Sequence, residues 1–137
     1  MLSKLKKVIE DEKGALEEIL SVLELQHKYI IEEDIFKLED VVKNIEEGNK
    51  NIALLEIERR NLLGSESMSE VVKKYDDKEL NLLYRDVKRV LNELSIQKET
   101  NETLIKQGLG FTTQMLNLIN PKGCMPKTYN SYGKVKR

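Results

Sequence analysis

Apolar residues near the start of the chain recur at alternating steps of three and four: Leu2, Leu5, Ile9, Leu16, Ile19, Leu23 and Ile30. Glu12 and Gln26 occupy two rungs of the same ladder. That spacing puts the side chains on one stripe of a helix. Val8, Ala15, Val22 and Tyr29 add a second row, seven apart, beside the first. The resulting stripe is wide enough to meet more than one partner helix, and the pattern predicts a helix over about 2–33. Gly14 is a mild internal cost to it.

The pattern resets at Glu32-Glu-Asp34. Asp34 can accept the free N–H groups of a new helix as its N-cap, and a stripe follows at Leu38, Val41, Ile45, Gly48, Ile52, Leu55, Arg59 and Leu62. This predicts a helix over 35–63, closed by Gly64, which suits a left-handed C-cap. Ser67-Met-Ser-Glu70 reads as a capping box opening a short helix over 68–75. Asp76 or Asp77 then caps a long helix over 78–120. Its stripe is Leu80, Leu83, Val87, Val90, Leu94, Gln97, Asn101, Leu104, Gly108, Phe111, Met115 and Leu118. Gln97 and Asn101 are polar residues in a seam, where they can set register at a cost in stability. Both prolines, Pro121 and Pro126, come later.

These elements make an all-α chain. A tight link between two helices of similar length implies an antiparallel hairpin, and the long helix runs back along it in a coiled-coil-like bundle over 1–120. At 1.5 Å per residue the first two helices are about 45 Å long and the last about 64 Å. The last helix therefore overshoots by about a dozen residues, Gln107 to Ile119. That stretch carries Leu109, Phe111, Met115, Leu118 and Ile119 with no partner left inside the chain, and an unpaired apolar stripe marks an interaction surface. Gly108 and Gly110 weaken the helix where it would leave the bundle.

Charge changes the picture at the C-terminal end. The chain has 137 residues and a net charge of −1, yet its two parts differ sharply. Residues 1–120 hold all 24 acids against 18 Lys and Arg, a balance of −6, while 121–137 hold five bases and no acid. The tail, rich in Lys, Pro, Gly, Asn and Ser, is expected to be irregular and flexible. An acidic body argues against nucleic acid as the main partner, since neutralising phosphates supplies that affinity.

Catalytic chemistry is not visible. His27 has no nucleophile in a recognisable setting, and Gly108-Leu-Gly110 falls within a helical pattern rather than between strand and helix. One His with one Cys makes no zinc site, and Cys124 forms no internal disulfide. No apolar run reaches the roughly 20 residues that span a bilayer, and the N-terminus is too acidic for a signal-peptide core. The expectation is a cytoplasmic, non-enzymatic interaction protein with no cofactor, no small-molecule substrate and no metal.

Three segments together resemble the FlgN family of flagellar export chaperones. One is Phe36-Lys-Leu-Glu-Asp-Val with Leu54-Leu-Glu-Ile-Glu-Arg-Arg-Asn-Leu-Leu63, similar to that family's second helix. Another is Asn101-Glu-Thr-Leu-Ile-Lys-Gln-Gly-Leu-Gly-Phe111, similar to its Asn-x-x-Leu-Leu and Leu-x-Phe stretch. The last is Thr128-Tyr129-Asn-Ser-Tyr-Gly133, like the Thr-Tyr-x-x-x-Gly ending. The tail motif discriminates best, because helical periodicity does not demand it. Lys98 stands where the family often has a further Asn, and Gly108 and Gly110 replace more helix-favouring residues.

The resemblance implies a chaperone that binds the hook-filament junction proteins FlgK and FlgL, prevents their premature polymerisation and escorts them to the flagellar type III export gate. It implies client binding through the C-terminal part, here Leu104, Ile105, Leu109, Phe111, Met115, Leu118 and Ile119. It also implies docking at the gate protein FlhA through the tail motif, here Tyr129 and Gly133. Two alternatives stay open: another bundle chaperone or adapter of type III secretion, such as a FliT-like protein, and a structural coiled coil whose stripe closes a homodimer.

Overall fold

The computed structural model describes residues 1–107 as four helices: α1 (Leu2–Glu32), α2 (Ile35–Leu63), α3 (Met68–Tyr75) and α4 (Lys78–Lys106). Each boundary follows from local chemistry. At the end of α1, Glu33 turns left-handed with φ 56°, which returns the N–H groups of Glu33 and Asp34 to the carbonyls of Ile30 and Tyr29. The first helix thus closes at Glu32, one residue before its expected end. Asp34 opens α2 by accepting the Lys37 N–H at 3.1 Å. Ser67 accepts the Glu70 N–H at 3.2 Å to open α3. Of the two aspartates proposed for α4, Asp77 is the cap, accepting the Leu80 N–H at 3.0 Å, while Asp76 closes α3 in a left-handed conformation.

Gly64 corrects one expectation. Its φ of 65° is positive, but ψ is −123°, outside the left-handed helical basin of a Schellman-type cap. The chain must swing away from α2 toward α3 at once, and only a residue without Cβ takes that geometry cheaply.

Helix α1 is the central element, packed along both α2 and α4, which meet each other far less. Its two apolar rows explain this arrangement: a single seam could serve one neighbour, and α1 must serve two. The antiparallel hairpin is pinned by Gly48 of α2, which closes on Ile19 of α1, and by a buried ion pair in which Arg59 Nε lies 3.0 Å from Glu12 Oε1. Helix α4 runs parallel to α1. Lys6 meets Asp77 at 2.8 Å, Lys13 meets Asp86 at 3.1 Å, and Asn101 Nδ2 donates to Gln26 Oε1 at 2.9 Å. The core between these contacts holds Leu5, Leu16, Ile52, Leu80, Val90 and Leu94, with Val71 and Val72 of α3 closing its lower end.

The Lys6–Asp77 contact perturbs both groups. The hydrogen bond from Lys6 holds the Asp77 carboxyl below its ordinary range, assisted by the Leu80 N–H. The same bond to Asp77 raises the Lys6 ammonium above its ordinary value.

Candidate functional site

The upper end of the bundle, where α1 turns into α2 and α4 approaches its last described turn, is organised by a polar layer. Asn101 is 1 % exposed; it donates to the Leu23 carbonyl at 3.0 Å and to Gln26. Gln97 Nε2 donates to Asn101 Oδ1 at 3.0 Å and lies 3.2 Å from His27 Nδ1. His27, which has no nucleophile in a recognisable setting in the sequence, therefore belongs to a structural hydrogen-bond group. Polar groups satisfied in this way inside a seam admit one register and penalise its neighbours, because a slip of one turn leaves each of them without its partner.

Beyond this layer the buried apolar residues are Ile30, Leu38 and Ile105. Ile105 is 3 % exposed and Leu104 is half-buried, so the beginning of the candidate client-binding stripe is partly covered by the chain itself. The contacts of Asn101 with Leu23 and Gln26 set residues 105–107 level with the last turn of α1. Leu109, Phe111, Met115, Leu118 and Ile119 of that stripe lie outside the described residues, as do Tyr129 and Gly133 and the expected continuation of α4 to 120.

Three residues at the same end were not singled out as a site from sequence. Ile31, Ile35 and Phe36 flank the α1–α2 turn and are 56 %, 48 % and 82 % exposed. The available signal was their phase: Ile35 and Phe36 stand outside the Leu38, Val41, Ile45 stripe, so nothing in α2 requires them to be apolar. Acidic side chains surround them: residues 31–40 hold Glu32, Glu33, Asp34, Glu39 and Asp40 against Lys37 alone. Lys37 is itself engaged, 3.8 Å from Asp34 and above the Tyr29 ring.

Among the described residues no cluster of His, Cys, Asp and Glu could hold a metal ion, and no helix is long and apolar enough to cross a membrane. The features at this end, apolar residues beside a fixed helix register, suit contact with another polypeptide. Comparison with curated proteins and with solved structures gave no match. The family model described as FlgN protein matches residues 1–137, the whole chain, and on that full-length match, together with the all-helical bundle, this chain belongs to the FlgN family of flagellar export chaperones.

Proposed function

We propose that this chain is the cytoplasmic chaperone of the hook-filament junction proteins FlgK and FlgL, holding them unpolymerised and delivering them to the export gate protein FlhA. The observation that carries the reading is the mismatch at the upper end of the bundle. Helix α1, which covers α4, ends at Glu32, while apolar positions in the α4 phase continue through Phe111, Met115 and Leu118. A client's terminal amphipathic helix supplies the missing apolar partner, in the helix-in-groove mode. Leu104, Leu109, Phe111, Met115, Leu118 and Ile119 form the contact, and Met adapts to more than one client surface. Ile105 joins it only if the last turn of α4 lifts from α1, a reorganisation that lowers affinity and keeps release possible. Tyr129 and Gly133 of the tail engage the gate.

The test is calorimetric titration of the full chain with FlgK and FlgL of the same organism, with Phe111→Asp as the contact variant and helical circular dichroism as the folding check. The expected result is binding at about micromolar Kd or tighter (roughly −8 kcal/mol), lost in the variant with helicity retained. No binding to either protein, together with a stable homodimer in solution, would overturn the reading in favour of a structural coiled coil. Loss of helicity in Phe111→Asp would move that residue into the monomer's own core.

A further inference from the structure

The hairpin tip has an apolar surface that the bundle does not use. Phe36 is 82 % exposed, and Ile31 and Ile35, which flank the same turn, are exposed too. Leaving a phenyl ring and two half-exposed aliphatic side chains in water is unfavourable, and covering them is favourable. The surrounding segment 31–40 carries a net charge of −4, from five acids and Lys37.

The chain beyond the described residues starts at this tip and has the complementary composition. Gln107 stands level with the α1–α2 turn, by the register that ties Asn101 to Leu23 and Gln26. Residues 108–120 hold no charged side chain and carry Leu109, Phe111, Met115, Leu118 and Ile119; residues 121–137 hold five bases and no acid. Because α2 and α4 flank α1, the span is at most about two helix diameters, roughly 20 Å, and about six residues of extended chain reach that far at about 3.3 Å each.

We propose that residues 108–119 of this chain dock on the hairpin tip around Ile31, Ile35 and Phe36, with the basic tail 121–137 lying along the acids of 32–40, whenever no other partner holds that segment. Apolar burial supplies the attachment; charge complementarity orients it and makes it salt-dependent. The docking stands without any client. Its consequence rests on the chaperone reading: the tip competes with the client for one apolar segment, and apparent client affinity falls by the fraction of molecules in which the segment is free.

Hydrogen exchange on the full-length chain, without client, decides the matter. In the wild type, amides of 108–119 exchange on the order of tenfold more slowly than in Phe36→Asp, because opening must precede exchange, and 121–137 lose protection at high salt. Protection over 1–107 is the folding control, with the milder Phe36→Ser carrying the comparison if that control drops. Equal exchange of 108–119 in wild type and variant overturns the proposal. Protection that rises with protein concentration also overturns it, since the occupant is then a second copy. Adding client separates the two readings: failure to bind client sinks the chaperone reading and leaves the exchange result standing.

Discussion

Gly48 and Gly14 offer the same substitution with opposite expected sign. Both lie inside long helices, so replacing either by Ala gains about 0.8–1 kcal/mol of helix propensity. At Gly14 nothing stands within 4 Å of the added Cβ, and that gain is the whole effect. At Gly48 the Cβ would come 2.7 Å from Ile19 Cγ1 and 3.2 Å from Ile19 Cδ1. Ile19 is 3 % exposed within the core. Its Cγ1 is the root of the side chain rather than a free end, so it cannot swing clear without disturbing its neighbours. Overpacking of this kind costs about 1–3 kcal/mol, which outweighs the propensity gain over most of that range and forces α2 away from α1. Urea denaturation monitored by circular dichroism should therefore show Gly14→Ala stabilised by about 0.8–1 kcal/mol and Gly48→Ala destabilised by up to about 2 kcal/mol. The double variant Gly48→Ala with Ile19→Ala should lose less than the sum of the single variants, because each removes the other's defect. If Gly48→Ala stabilises as much as Gly14→Ala, with no coupling to Ile19, the close approach of α2 to α1 at this point is wrong.

Three further outcomes are open to direct measurement. Arg59→Met should destabilise the bundle by about 3–5 kcal/mol in urea, because Glu12 is fully buried and loses its charge partner, whereas Glu12→Leu with Arg59→Met together should fall within about 1 kcal/mol of the wild type or above it. Glu33→Gly should stabilise by about 1 kcal/mol, since φ 56° costs a side chain what glycine avoids; an unchanged melting temperature would show that this turn carries no strain. Asp77 has a depressed carboxyl pKa in the folded state, so its contribution is present above the unfolded pKa of about 3.9 and is lost as pH falls through the folded value; Asp77→Asn should flatten the acid limb of a stability–pH profile. Lys6 has the opposite sign: its pKa is raised, so its contribution is complete below about 10.4 and is lost as pH rises through the folded value.

The candidate stripe is a reading of sequence alone, because helical phase carries through a sequence whether or not a partner is present. The stripe through Leu104, Phe111, Met115 and Leu118 needs only the 3.6-residue period to be seen. Phe36 was quoted only for its family resemblance: its place outside the stripe shows that α2 does not need it, while its exposure depends on how sharply Glu33 and Asp34 turn the chain. Ile105 entered the client-binding set with the family resemblance rather than with the Leu104 phase, and its burial depends on how far α1 extends beside it.

The sequence by itself determined the number and order of the helices among residues 1–107, and their limits to within a residue. Capping, period and glycine placement are local, and Asp34, Ser67 and Asp77 each act on an N–H group three residues away. It also named the polar residues in the seams, Glu12, Gln26, Arg59, Gln97 and Asn101, without saying which would meet. Only the tertiary structure decided that Glu12 pairs with Arg59 across α1 and α2, and that Gln26 meets Asn101 across α1 and α4. It also decided that α1 rather than α2 or α4 is the central helix. Three stripes of similar period can be packed in more than one order, and the choice among them rests on contacts between residues some 50 to 80 positions apart, for which no local period exists.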